Sequence, residues 1–319
     1  MRAMVIAATG GPSVLTKADL PMPTRINAEL LVRVIAASVN PIDAKTRAGG
    51  GTSAEIPSFP AILGRDFSGI VIEAPYEACP IKPGDEVFGM LPVPRVPGAY
   101  AEYVTVPLMN VARKPPRISP IEAAAVPVAA LTAWGMVVDV AKAHEGQTVL
   151  IHAGAGGVGH FAVQFACYFG AHVIATGSQK SASFLRELGA AEVIDYATTR
   201  FEDVLSGVDV VVDLIGNVHD ETGTRSLKVL RPGGLIINLP SGSWPTLLDD
   251  AADAGVRATT YAVSDDGSTL AVIARLLESG DIRVHVDQVF DLDHAADAHT
   301  AIETGHTRGK LVLTVGVSE

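Results

Sequence analysis

The spacing of apolar residues changes near residue 115. Upstream, short runs of β-forming residues at 29–37, 68–73 and 100–106 are separated by turn signals, among them Lys82-Pro83-Gly84-Asp85. This half predicts a β-rich, partly closed barrel. Residues 112–120, ARKPPRISP, predict a crossover, because each proline restrains its own φ and disfavours the α region in the residue before it.

Downstream the rhythm becomes strand, helix, strand, helix. Apolar strands are expected at 148–152, 172–176, 192–195, 208–214, 234–239 and 257–263, with helices following the first, to residue 169, and the second, at 182–188. Apolar strands alternating with helical stretches predict a parallel sheet covered on both faces and joined by right-handed crossovers, a doubly wound α/β domain. A helical pattern at 269–278 and a strand at 310–315 do not continue that alternation and are expected to return to the first domain. The expected division is thus 1–121 with 265–319, and 122–264.

Composition narrows the function classes. The chain has 319 residues, 48% hydrophobic and 18% charged, which fits a folded protein without long disordered tails. Its net charge of −11, with basic residues scattered, argues against a nucleic-acid surface, so any phosphate site must be local. No apolar stretch reaches the ~18 residues of a membrane span, and residues 1–15 lack a signal-peptide core, so no membrane partner and a cytoplasmic location are expected. Cys79 and Cys167 are too few for a disulfide framework or a four-cysteine zinc lobe.

The sharpest chemical signal is LIHAGAGGVGHFAVQFA, residues 150–166. Gly154, Gly156 and Gly159 form G-x-G-x-x-G directly after a buried strand and at the start of a helix, with Gly157 as an additional glycine. In that context the first glycine permits a tight turn, the second lets a pyrophosphate approach the backbone, and the third lets helix and strand pack closely. The cofactor type is read at the tip of the second strand, where NAD-binding chains carry a carboxylate for the ribose. Here the tip reads TGSQKSAS, residues 176–183, with no acid. Ser178 can donate a hydrogen bond and Lys180 supplies a positive charge, so NADPH is expected over NADH.

With these motifs in place, the chain resembles the zinc-independent quinone oxidoreductases of the medium-chain dehydrogenase/reductase superfamily, the branch that includes ζ-crystallin-like proteins and alkenal/enone reductases. The resemblance spans nearly the whole length. It is carried by SVNPIDAKTRAG (38–49), PAILGRDFSGIV (60–71), GDEVFG (84–89), GAYAEYV (98–104), AAVPVAALTAW (124–134), the glycine loop and TRGKLVL (307–313). It implies a GroES-like barrel domain beside the Rossmann cofactor domain, and a homodimer joined through sheet edges. It further implies that Gly156, Gly157, Val158 and Gly159 line the pyrophosphate, and that Ser178, Lys180 and Tyr196 hold the adenosine end. Ile215, Gly216 and Asn217, then Leu239, Pro240 and Ser241, would lie at the carboxyl ends of strands where such sheets bind ligands. Tyr261 and Val263 would flank the nicotinamide side with them, and Thr132 and Lys310 would contact the cofactor from the cleft wall.

Zinc-dependent members of the superfamily place a cysteine and a Gly-His-Glu segment where this chain has Asn40 and Gly64-Arg65-Asp66, so no metal is expected. Without a Lewis acid, a conjugated acceptor is easier to reduce than an unactivated alcohol is to oxidise. The expected function is hydride transfer from NADPH to a quinone or α,β-unsaturated carbonyl. Asn40 is the first candidate donor to the developing oxyanion, with Asp43, Lys45 and Arg65 close by in sequence. Many relatives carry a tyrosine after the segment matching TRAG, whereas this chain continues Gly50-Gly51-Thr52, leaving the proton donor open. Residues 49–54 are expected to form a flexible flap, and the proline-rich stretch 91–97 another wall. Two alternatives are an NADPH-binding sensor with little turnover and a biosynthetic enoyl reductase.

Overall fold

The computed structural model describes residues 1–92 and 98–316. The wall expected from residues 91–97 therefore lies, beyond Pro92, outside the described residues. The chain divides into two compact units, Met1–Leu131 with Ser264–Glu319, and Thr132–Val263.

In the first unit the chain runs through β1 (Arg2–Ile6), β2 (Leu15–Asp19), β3 (Glu29–Val39), α1 (Pro41–Arg47), β4 (Ala61–Ile62), β5 (Asp66–Glu73), β6 (Glu86–Met90), β7 (Tyr103–Pro107) and β8 (Val111–Arg113). The expected crossover ends in α2 (Pro120–Ala124). There Ser119 caps the Glu122 N–H while the Glu122 carboxylate accepts from the Ser119 N–H, and Pro120 takes the first helical position. The boundary expected at 121/122 falls inside this helix. It packs against β3 and β5, and the first unit continues into α3 (Pro127–Trp134).

The second unit is the expected parallel sheet: β9 (Thr148–Ile151), α4 (Gly159–Tyr168), β10 (His172–Gly177), α5 (Ala182–Glu187), β11 (Glu192–Asp195), β12 (Val208–Asp213), α6 (Thr222–Ser226), β13 (Leu230–Asn238), α7 (Leu247–Asp253) and β14 (Arg257–Thr260). Its described strands follow the order β11-β10-β9-β12-β13-β14, all pairs parallel. The winding reverses beside β9, so the carboxyl ends of β9, β10 and β12 surround a topological switch point, where open α/β sheets bind ligands. Val149, Leu150, Ile151, Val211, Val212, Ile236 and Ile237 are fully buried, as strands covered on both faces require.

The chain then returns through α8 (Gly267–Ser279), β15 (Val286–Asp291), α9 (Ala295–Glu303) and β16 (Lys310–Thr314). The strand β16 joins the first unit's larger sheet, order β15-β16-β3-β5-β6-β8, with β7 also on β3; β2-β1-β4 forms a smaller sheet. The eleven residues of β3 are the spine, pairing with β5, β7 and β16. Their register to β5 shifts between Val34 and Ala36. Gly69 of β5 sits opposite Val34, and a Cβ there would lie 2.2 Å from the Arg33 carbonyl oxygen. Backbone cannot yield as a flexible side chain would. Gly69→Ala is expected to destabilise the chain by about 1–3 kcal/mol, read as a lower urea midpoint with the m-value unchanged.

Candidate active site

The glycine loop occupies the turn from β9 into α4. Ala153 adopts the left-handed conformation (φ 49°), while the Ala153 and Gly154 N–H groups donate to the Thr176 hydroxyl and carbonyl at the end of β10. A Cβ on Gly159 would lie 2.2 Å from the Ala153 carbonyl oxygen and 2.8 Å from the Cα of Gly154, so only glycine lets α4 start against this turn. At Gly156 a Cβ would meet only the Ala153 carbonyl oxygen, at 3.3 Å; its bare face otherwise borders open space. Gly156, Gly157 and Val158 are half-buried. A strand-to-helix turn with one glycine locked by packing and another bare towards open space fits a dinucleotide pyrophosphate.

At the tip of β10, Ser178 is half-buried with its hydroxyl 3.2 Å from that of Ser181, and Lys180 is exposed. Tyr196 follows β11, is 61% exposed, and ties its N–H to the Gly177 carbonyl, which brings the two strand tips together. The tips of β10 and β11 thus carry hydroxyls, an ammonium and an aromatic ring.

The next two loops are organised by one residue that sequence reasoning passed over. Asp213, fully buried at the end of β12, accepts from the N–H groups of Ile215 and Gly216 at 2.9 and 2.8 Å and from the Asn238 amide at 2.8 Å. The Leu239 N–H donates to its carbonyl. Gly216 has φ 66°, and a Cβ there would lie 2.0 Å from the Ser243 hydroxyl. Asn217 is fixed by a reciprocal pair with Thr224. Loops 215–217 and 239–241 thereby hang from one carboxylate. Tyr261, just past β14, donates its N–H to the Asn238 carbonyl, and its ring lies over Gly135, where a Cβ would be 1.7 Å from the phenol oxygen. Gly135 opens a π-helical turn, residues 135–140, beyond Thr132, which is buried in α3; Val263 is half-buried. A signal for Asp213 was present in the sequence: a lone acid closing the apolar run VDVVVD.

In the first unit Asn40, of the expected catalytic residues, and Lys310, an expected cofactor contact, meet at a second buried acid, Asp66. Its carboxylate accepts from the Ser38 hydroxyl (2.7 Å), the Asn40 amide (2.9 Å) and the backbone N–H of Val128 (2.9 Å), and lies 3.7 Å from the Lys310 ammonium. Lys310 is itself buried and donates to the Asn40 side-chain oxygen and to the Val39 carbonyl. Burial holds its ammonium below the usual lysine range, opposed by the carboxylates of Asp66 and Asp43. Lys310 and the Asn40 amide therefore point into this network, and the ammonium's donors are directed at Asn40, Val39 and Asp66.

Asn40 also starts α1: Asp43, in its first turn, accepts from the Asn40 N–H at 2.9 Å. Burial pushes the Asp43 carboxyl up to about 7, reinforced by the charge of Asp66 and opposed by the Asn40 N–H, Arg65 and Lys310. Asp43 and Arg65 line a small cleft, whose apolar walls include Ile42, Ile56, Ile62 and Leu91. Arg65 is half-buried, its Nε 3.4 Å from the Leu91 carbonyl oxygen, whereas Lys45 projects from the exposed face of α1. The expected flap is folded back on α1, with the Thr52 hydroxyl 3.0 Å from that of Thr46 and the Thr52 N–H donating to Thr46.

This geometry can be set beside known proteins. The sequence model of the alcohol dehydrogenase GroES-like domain matches residues 27–116, and that of a zinc-binding dehydrogenase matches 188–313. The quinone oxidoreductase of Coxiella burnetii superposes with a TM-score of 0.93 at 36% identity, covering 99% of both chains. The chain belongs to the medium-chain dehydrogenase/reductase superfamily. Within the superfamily it is also similar to the NADPH-dependent alkenal/one oxidoreductase of Arabidopsis thaliana chloroplasts, 33% identical over 98% of this chain and 79% of that one. Escherichia coli quinone oxidoreductase in complex with NADPH superposes with a TM-score of 0.87 at 28% identity, covering 99% of this chain and all of that one.

Although one matching model is named for zinc binding, no group of three or more His, Cys, Asp or Glu side chains suited to a metal ion occurs among the described residues. Around Asp66 the acceptor positions are taken by Ser38, Asn40 and the N-terminus of α3, with Lys310 as the neighbouring cation. Removing that cation strands a buried carboxylate. Lys310→Met is expected to cost about 3–5 kcal/mol in equilibrium denaturation, and Asp66→Asn added to Lys310→Met is expected to recover part of the loss, a coupling that a double-mutant cycle measures directly.

Proposed function

We propose that this chain is an NADPH-dependent, metal-independent reductase that delivers hydride to a quinone or an α,β-unsaturated carbonyl. The observation that carries the reading is the pair formed by the glycine cradle and the acid-free tip of β10. Bound NADPH supplies a hydride from its nicotinamide ring. Gly154, Gly156, Gly157, Val158 and Gly159 admit its pyrophosphate to bare backbone, while Ser178, Lys180 and Tyr196 hold the adenosine end, where Lys180 favours the additional phosphate and no carboxylate opposes it. Loops 215–217 and 239–241, with Thr132, Tyr261 and Val263, border the nicotinamide.

On the acceptor side, the apolar walls of the cleft take the carbon skeleton and limit water. Asn40, oriented by Asp66 and Lys310, keeps one amide hydrogen for the developing oxyanion, and the fixed charge of Arg65 adds to its stabilisation. Both roles suit an acceptor that spreads its own charge into an enolate or hydroquinone anion. The relatives' names support this acceptor class: one carries alkenal/one oxidoreductase, another quinone oxidoreductase. The partner is thus a small conjugated molecule. No described helix is long and apolar enough to cross a membrane. The exposed edge strand β14, RATT, offers its unpaired side to a second copy for a homodimer, and the cytoplasm is the proposed location.

Two measurements test the reading. NADPH oxidation against 1,4-quinones, enones, alkenals and enoyl thioesters is expected to be fastest with quinones or enones. Tight NADPH binding without consumption would favour a sensor, and preference for a thioester a biosynthetic enoyl reductase. Lys180→Ala is expected to weaken NADPH by roughly 10-fold, as loss of a charge-assisted hydrogen bond implies, and to leave NADH nearly unchanged; equal losses would overturn the cofactor assignment.

A further inference from the structure

Hydride addition to a conjugated carbonyl leaves an enolate, which must then take a proton at its α-carbon. Four candidates can be set aside on their surroundings. Lys45 is exposed on the far face of α1, and Arg65 carries a guanidinium that does not release a proton. Burial and the nearby carboxylates lift the Tyr100 phenol well above its ordinary value. Burial, with Arg47 beside it, holds His299 at about 4, so its imidazole is neutral at pH 7.

Asp43 differs from all four. It lines the cleft, yet its carboxyl is held from behind. One oxygen accepts from the Asn40 N–H, and the carboxyl shares a side-chain hydrogen bond with the Tyr100 phenol. Tyr100 in turn lies 3.0 Å from His299 Nε2, with the two rings edge to face at 5.6 Å. The ring of Tyr100 fits because residue 64 is glycine at φ 93°, where a Cβ would lie 2.4 Å from the ring. His299 is fully buried on α9, and its Nδ1 has no partner among the described residues. The carboxyl is therefore locked in one orientation by a three-residue column drawn from α1, the segment before β7, and α9.

We propose that Asp43 is the acid that protonates the carbon next to the carbonyl of a conjugated substrate bound in this cleft, with Tyr100 and His299 as positioning residues behind it. The assignment rests on the reductase reading. When hydride has formed the new C–H bond at the β-carbon, the alkene electrons lie in the enolate. Its α-carbon takes the proton from the Asp43 O–H, the electron pair of that bond stays on the carboxylate, and water entering the cleft restores the proton. A quinone is different, because its reduced anion rests on oxygen and takes a proton from water directly. The charged groups facing Asp43 are Asp66 on β5, Arg65 just before it and Lys310 on β16, and Glu55 lines the same cleft. Their balance with burial leaves the carboxyl protonated up to about pH 7. The acid form is present below that value, so enone turnover is expected to fall as pH rises through it.

Asp43→Asn is the test, since an amide oxygen can still accept from the Asn40 N–H while the amide cannot act as an acid. Enone kcat/KM is expected to fall by roughly 10²–10⁴-fold, with quinone reduction and the NADPH Kd little changed. In D₂O the wild-type chain is expected to place deuterium on one face of the α-carbon, and Asp43→Asn on both. Tyr100→Phe removes a donor to the Asp43 carboxylate and is expected to shift the alkaline limb of the enone profile to higher pH, which a purely structural role would leave in place. In the cofactor-free chain, infrared spectra are expected to show a protonated carboxyl band that titrates near neutral pH and is missing from Asp43→Asn. Equal losses with quinone and enone in a folded variant, retained single-face deuteration, or absence of that band would each overturn the proposal. A wild-type chain inert towards every acceptor would overturn the reductase reading instead, with the infrared band still deciding whether Asp43 is the buried acid.

Discussion

The first unit is organised around a carboxylate that water cannot reach. Asp66 is completely buried, and an isolated ion at such a site costs several kcal/mol even after relaxation. The chain meets that cost from four separate segments: the end of β3 through Ser38, the start of α1 through Asn40, the N-terminus of α3 through Val128, and β16 through Lys310. The Val128 N–H is one of the donors a helix start leaves unpaired, and the carboxylate also complements the positive end of the helix dipole. Because each partner lies on a different segment, satisfying one charge fixes the relative positions of all four. A buried ion pair is a weak source of net stability, but it is an exacting condition on geometry.

The second unit uses the same device at its carboxyl-end loops. Asp213 binds two backbone N–H groups of the loop after β12 and the Asn238 amide at the end of β13. In a parallel sheet these loops would otherwise be free to vary. Tying them to a carboxylate at a strand end fixes their position relative to the sheet. The glycine turn needs no such anchor, because contact between Gly159 and the Ala153 carbonyl already leaves it no alternative. Sterics thus set the glycine turn, and buried charge sets the loops after β12 and β13.

The sequence is most legible where local pattern and local chemistry coincide. The central parallel strands follow from apolar runs such as TVLI and VDVVVD, and β11 coincides with its expected span, 192–195. The glycine turn follows from spacing alone. Strand ends are less legible: β14 stops at Thr260 where 257–263 was expected, because nothing local distinguishes strand from the loop that follows. Least legible are the groups that acquire meaning only through partners far along the chain. Lys310 and Asn40 are 270 positions apart, and Tyr100 and His299 are 199 apart. Lys310 reads in sequence as an accessible cation near a cofactor; in the fold its charge is consumed by Asp66. Asp43 reads in sequence only as a neighbour of Asn40, and folding turns it into a buried acid that also stabilises its own helix start.

The identity of the cation beside Asp66 bears on the acceptor as well as on the fold. A divalent metal in that corner could lower the pKa of a bound hydroxyl or polarise a carbonyl. The Lys310 ammonium does neither, since its donors are directed at Asn40, Val39 and Asp66 and its charge is matched to the carboxylate. Arg65, with its fixed charge, and Asp43, with its carboxyl, line the cleft, while the Asn40 amide is bound to Asp66. Hydrogen bonds of this kind stabilise charge that an acceptor has already delocalised; they do little for an alkoxide localised on one atom. An acceptor with a conjugated system supplies the delocalisation itself. The lysine beside Asp66 is thus committed to the packing of four segments, and any delocalisation of charge has to come from the acceptor.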